Sequence, residues 1–209
     1  MKKIFLVLFV VSFSFACLSC SKTRITGTWT DPDLKQGSVQ KVLVIGVGKS
    51  QLARRTFEED FVMALRGVGV EAYPSYRYLS GEEIPKREKI IEVVRSIGVD
   101  YVLVTALVGI DREQEYHPPQ TYVTPRYGGF YPYYRHTYDV VHQPGYYSTK
   151  VKVILETKLY SVELGKPVWM AQSTTMNPDS SNAVIRSVIP ELVKKMQEQG
   201  LFKGGAGGH

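Results

Sequence analysis

The side chains able to do chemistry are few and unevenly placed. The chain has two cysteines, Cys17 and Cys20, both at the end of the apolar run that opens it. A thiol can be a nucleophile, a metal ligand or a point of covalent modification. With no other cysteine present, the rest of the chain carries no disulfide. The histidines are His117, His136, His142 and His209. No pair has a spacing that a rigid element would present together, so no metal site is expected. Glu58-Glu59 and Glu82-Glu83 fall on surfaces expected to be solvated. No Ser-His-Asp arrangement or nucleophile elbow occurs. We therefore expect no catalytic residue and no cofactor. Gly46-Val-Gly48-Lys49-Ser50 ends like a phosphate-binding loop and lies between a strand and a helix. Such a loop needs glycine five places before its Gly-Lys pair, so that backbone amides can cradle phosphates. Here that place is Leu43, inside the strand. The segment reads as a tight turn whose Ser50 caps the next helix.

One long segment, residues 116–147, has a composition unlike the rest. It holds Tyr116, Tyr122, Tyr127, Tyr131, Tyr133, Tyr134, Tyr138, Tyr146 and Tyr147, nine of the 14 tyrosines. Five prolines, Gly128-Gly129 and Phe130 are interleaved, and charges are sparse. Insertions of this length inside a domain are either functional or disordered. Tyrosine offers contact area at low entropic cost and keeps a polar tip. The candidate binding surface is Tyr122, Tyr127, Phe130, Tyr131, Tyr133, Tyr134, Tyr138, Tyr146 and Tyr147. It suits sugar rings, partner proteins or a membrane interface. A long hairpin or loop without a fixed ligand is the alternative. The prolines argue against a regular strand across its middle.

The cysteines acquire a purpose from what precedes them. Met1-Lys2-Lys3, the apolar stretch Ile4 to Ala16 and a small residue at its end are the parts of a secretory signal. A membrane span needs about 20 apolar residues, and this run becomes polar at Ser21-Lys22 before reaching that length. An uncleaved anchor is the alternative. Ser14-Phe15-Ala16-Cys17 resembles the loose form of the lipobox of bacterial lipoproteins, although the leucine usual three places before the cysteine is missing. Cys17-Leu18-Ser19-Cys20 fits less well. The resemblance implies lipidation at Cys17, or alternatively Cys20, and anchoring by two or three acyl chains. By resemblance to sorting in enteric bacteria, Leu18 or Ser21 after the lipidated cysteine favours the outer membrane, facing the periplasm.

About 190 residues then remain, enough for one domain. The formal charge of +6 becomes +4 without Lys2 and Lys3. No basic cluster suggests nucleic acid. Residues 17–40 read as a tether and a short first strand, Ile25 to Thr30. Residues 41–202 read as one α/β domain, and 203–209 as a flexible glycine-rich tail. Lys41 to Val47 is a buried strand. Phe57, Phe61, Ala64, Leu65 and Val68 mark one face of a helix, leaving Glu58 and Glu59 outside that stripe. Val70 to Tyr78 is an edge or bulged strand containing Pro74. A helix over Pro85 to Ile97 and a central strand over Tyr101 to Ile110, covered on both faces, follow. This order implies parallel strands with right-handed crossovers. Thr149 to Ser161 alternates, with Val151, Val153, Leu155 and Leu159 opposite Lys150, Lys152, Glu156 and Lys158. It forms an antiparallel hairpin with Pro167 to Thr175. A last helix, capped by Asp179 or Ser180, contains Pro190, which should kink it.

Gly27-Thr-Trp29, Lys41-Val-Leu-Val-Ile45, Gly98-Val-Asp-Tyr-Val102 and Leu159-Tyr-Ser-Val-Glu-Leu-Gly-Lys-Pro-Val-Trp169 resemble a group of uncharacterised bacterial envelope lipoproteins. The group is distantly like the α/β domains of curli-secretion and Tol-system periplasmic proteins. The resemblance implies an envelope location and an accessory or assembly role, with no catalytic residues to carry over. The expected architecture is α/β: a mixed sheet, parallel in its first half and antiparallel in its second, with three helices packed on it. The expected function is a lipid-anchored, non-enzymatic binding or assembly module. Its partners would be the membrane, through the anchor, and envelope proteins or glycan. The alternatives are an enzyme on envelope glycan, which would use the aromatics as a substrate platform, and a structural lipoprotein with a loop at the membrane interface.

Overall fold

The computed structural model describes residues 22–79, 87–118, 131 and 145–203. Six strands form one sheet: β1 (Lys22–Thr30), β2 (Lys41–Val47), β3 (Glu71–Pro74), β4 (Tyr101–His117), β5 (Tyr146–Ser161) and β6 (Pro167–Met176). Three helices with described bounds accompany them: α1 (Gln51–Gly67), α2 (Arg87–Ile97) and α3 (Ser181–Glu198). The order across the sheet is β1-β6-β5-β4-β2-β3. β2 runs parallel to β3 and β4, and every other neighbouring pair is antiparallel. The expected α/β class, mixed sheet and three helices are therefore present.

Strand alternation divides the core. Val42 and Val44 of β2 join Leu103, Leu159 and Trp169 under α1 and α3, whose Phe61, Leu65, Val188, Leu192 and Met196 are buried there. Leu43 and Ile45 point the other way, into a smaller cluster with Val93 and Val94 of α2. Among the described residues, helices thus cover both faces only around β2. Over β5, β6 and β1 the second face carries Lys158 and Glu156, paired at 2.7 Å, and the partly exposed Trp29. That is the wet face the alternation predicts. After α3, Gly200 turns the chain at φ 71°, a conformation that glycine adopts without penalty. The turn seats Leu201 and Phe202 in the larger cluster.

The structure corrects several sequence expectations. The strand placed at Val70 to Tyr78 is only Glu71–Pro74, followed by a 3-10 turn at Ser75–Arg77. The cause is Glu58, which is fully buried rather than solvated. Its Oε1 accepts hydrogen bonds from Gly46 N at 3.0 Å, Arg54 Nε at 2.9 Å and Ser75 Oγ at 2.8 Å. Its Oε2 accepts from Tyr76 N at 2.8 Å. Drawing Ser75 and Tyr76 toward α1 ends the ladder. A buried carboxylate is tolerated because a cation and three further donors satisfy it.

β4 was expected to be covered on both faces throughout, yet Leu107, Val108 and Ile110 are 49%, 52% and 47% exposed. A register shift between Leu107 and Gly109 marks where the strand leaves the body, as bulges do at sheet margins. β4 then runs to His117 and β5 starts at Tyr146, so both ends of the 116–147 insertion belong to the ladder. β1 starts at Lys22 rather than Ile25, and it pairs with β6 from Lys22↔Met176 to Thr30↔Trp169.

Candidate functional site

Of the residues proposed from sequence, Cys17, Cys20, Tyr122, Tyr127, Phe130, Tyr133, Tyr134 and Tyr138 lie outside the described residues. Tyr131 is 73% exposed. Tyr146 and Tyr147 are placed where the structure builds an exposed aromatic group at the end of β4 and β5.

The register puts β4 and β5 in a two-stranded arm. Asp111↔Lys152 is level with Lys152↔Met176 and with Lys22↔Met176. β6 ends and β1 begins at that level. Asn177 still donates its N–H to Val151 O at 2.7 Å and accepts from Val151 N at its Oδ1 at 2.7 Å. Among the described residues no strand flanks the pairs beyond that. Six further pairs follow, from Arg112↔Val151 to His117↔Tyr146. At about 3.4 Å per residue they carry the arm roughly 20 Å past the sheet. At its end Tyr116 and Tyr147 pack with ring centroids 4.9 Å apart. His117 stacks on Tyr146 at 4.7 Å and 18°, and its Nε2 lies 2.8 Å from Ser148 Oγ. Tyr116, Tyr146 and Tyr147 are 51%, 64% and 70% exposed. Aromatic cross-strand pairs stabilise the ladder that bears them, but these rings contribute nothing to the core.

The arm has two unlike faces. On the face continuous with α1 and α3 stand Leu107, Ile110 and Tyr116 from β4, opposite Leu155, Val153 and Tyr147 from β5. On the other face Glu113 and Glu115 meet Lys152 and Lys150. The hydrogen bond from Lys150, then its charge, holds the Glu115 carboxyl below its ordinary range, and Glu115 raises Lys150 in return. Both stay charged at neutral pH, keeping that face wet. Such exposed pairs contribute little to stability.

At the arm's base the apolar face opens into a cleft of about 220 Å³ between the N-termini of α1 and α3. Val47, Phe57, Leu107, Val153, Val184 and Ile185 line it. Ser50 caps α1 as expected, its Oγ accepting from Ala53 N at 3.2 Å. Sequence reasoning missed this cleft. Its one signal was the apolar run Tyr101 to Ile110, which reads equally as a buried strand. A larger groove of about 560 Å³ separates β1 from α3. It is lined by Lys22, Arg24, Lys194 and Lys195 with Glu191 and Glu198, so charges of both signs share it. Among the described residues no three His, Cys, Asp or Glu side chains could share a metal ion. Among them, too, no helix is long and apolar enough to cross a membrane.

No family model matches the chain, and neither does any curated protein. Solved structures give weak likenesses. The PelC dodecamer from Paraburkholderia phytofirmans, as its L103M variant in one crystal form and without that substitution in a second, is 18% identical with a TM-score of 0.43. In the first form the match covers 84% of this chain and 95% of that one. A lipoprotein from Neisseria meningitidis, GNA1162, is 10% identical with a TM-score of 0.40, over 76% of this chain and 99% of that one. At these scores the likenesses say nothing about what this chain does.

Proposed function

We propose that the protein is an exported, lipid-anchored component of the cell envelope that acts as a non-enzymatic binding or assembly module. Its contact surface is the aromatic end of the β4–β5 arm together with the tyrosine-rich segment the arm carries. Cys17, or alternatively Cys20, holds the lipid, and the outer membrane facing the periplasm is the favoured location. The supporting observation is the arm itself. Six ladder pairs leave the body and present Tyr116, Tyr146 and Tyr147 where they bury nothing in the core. A single two-stranded ribbon is marginal in water, so its expense points to a contact made outside the domain. Envelope proteins or glycan are the proposed partners, since aromatic rings serve both.

The register also specifies the test. His117 and Tyr146 are partners, so replacing residues 118–145 with Asn-Gly closes the arm with a two-residue turn. The shortened protein should keep its thermal transition and lose the partners that copurify with the full chain from membrane extracts. Retention of the same partners refutes the contact surface. Intact-mass measurement of the extracted protein should give a chain starting at Cys17 or Cys20 with acyl chains attached. A mass that retains Met1 to Ala16 refutes the anchor.

A further inference from the structure

We propose that the apolar face of the β4–β5 arm lies on the lipid bilayer, on the same membrane that holds the anchor. The inference rests on the lipid anchoring proposed above and names the first partner of that surface.

The direction of the strands carries it. β1 begins at Lys22, level with Met176, Lys152 and Asp111. The arm leaves the sheet at this same end. The chain preceding Lys22 therefore departs beside the arm's base, on the side from which the arm projects. From a lipidated Cys17 to Lys22 is five residues, at most about 18 Å of extended chain; from Cys20 it is two residues, about 7 Å. The arm projects roughly 20 Å beyond Lys22. With either cysteine the tether is no longer than the arm, so an arm that points toward the bilayer reaches the headgroup layer, and an arm that tilts keeps its base within about 18 Å of it.

The residues at this end suit that contact. Ile110, Val153, Val151, Tyr116 and Tyr147 share one face with Gln114 and Thr149, and the face's single charge between Leu107 and Tyr147 is Arg112. Beside its base Val47 and Leu52 are 54% and 77% exposed. Tyrosine sits well at the boundary of headgroups and acyl chains. A one-sided apolar element with a charged back is the form that lies in a membrane interface. The paired charges Glu113, Glu115, Lys150 and Lys152 face away. Contact should therefore depend on apolar burial and little on anionic lipid.

The test uses the full, lipidated protein in phosphatidylcholine vesicles containing a lipid with a photoactivatable acyl chain. Adducts are mapped by mass spectrometry. The expected adducts lie on residues 109–117 and 146–153, with the β5–β6 turn at Val162 to Gly165 as the unlabelled reference. Replacing a third of the neutral lipid with phosphatidylglycerol should leave the pattern unchanged. Ile110→Lys is at an exposed position and should fold normally. It should cut arm labelling about tenfold, the factor that half of one isoleucine's transfer free energy corresponds to. An acylated protein whose arm stays unlabelled overturns the inference and leaves the anchoring intact. So does an acylated protein whose Ile110→Lys variant labels like the parent. An intact mass without acyl chains at Cys17 or Cys20 removes the anchoring and the inference together.

Discussion

Replacing Glu58 with glutamine isolates what the buried carboxylate does, because the side chain keeps its shape and loses only its charge and one acceptor. With the amide oxygen at the Oε1 position, Gly46 N, Arg54 Nε and Ser75 Oγ keep a neutral acceptor. The amide nitrogen then faces Tyr76 N, which loses the 2.8 Å bond it now makes. An unsatisfied buried donor costs about 1–3 kcal/mol, and exchanging a charged for a neutral acceptor at Arg54 costs roughly 1 kcal/mol more. The expected loss is about 2–4 kcal/mol, or a fall in Tm of roughly 6–12 °C for a domain of this size. Urea and thermal denaturation followed by circular dichroism measure it. Arg54→Met alone should be destabilising by about 3–5 kcal/mol, since it strands the carboxylate. The double variant should lose clearly less than the two singles added. A loss below about 0.5 kcal/mol for Glu58→Gln would refute the reasoning, as would full additivity in the cycle.

Two further outcomes follow from the packing and the charges. Trp169 is fully buried and donates its indole N–H to Gln199 Oε1 at 2.6 Å. Trp169→Ala should cost about 3–5 kcal/mol in urea unfolding, and a loss under about 1 kcal/mol would show that the core repacks around the gap. The hydrogen bond from Lys166, then that from Asp33 N, holds the Asp31 carboxyl below its ordinary 3.8. Its folded pKa is the lower one, so its contribution is present above pH 3.8 and fades as the pH falls through the folded value. Asp31→Asn should therefore lower the urea midpoint at neutral pH, and the gap from the parent should narrow as the pH falls below 3.8. A gap that stays constant on acidification would contradict this.

The fold was legible where local pattern and tertiary role agree. The β2 run, the Phe57 to Leu65 stripe and the Val151 to Leu159 alternation each specify an element and its inward face. Legibility failed where a long-range partner decides. Glu58 looks like any helix-surface acid until Ser75, seventeen residues on, supplies its donor. Glu71–Pro74 is short for the same reason. The partner of β1 is β6, and no feature of Lys22 to Thr30 announces that. The arm was half visible. Its tyrosines stood out by composition, but ladder pairing of Tyr116 and His117 with Tyr147 and Tyr146 was hidden by the prolines between them. The exposed apolar face could not be told from a buried strand, because Leu107, Val108 and Ile110 carry the same side chains in either setting.

The pairing of β1 with β6 bears on the order of folding. Lys22 meets Met176 across nearly the whole domain, so the edge of the sheet closes only after the last strand has formed. Contacts of such separation are slow to form, because the loop must be closed before the pairing repays it. The residues at the start of the domain are therefore among the last to find their place. Until then β6 offers an open edge, the condition in which strands of neighbouring chains pair by mistake. A chain cut short before Pro167 would leave β1 without its partner and the start of the domain unfastened.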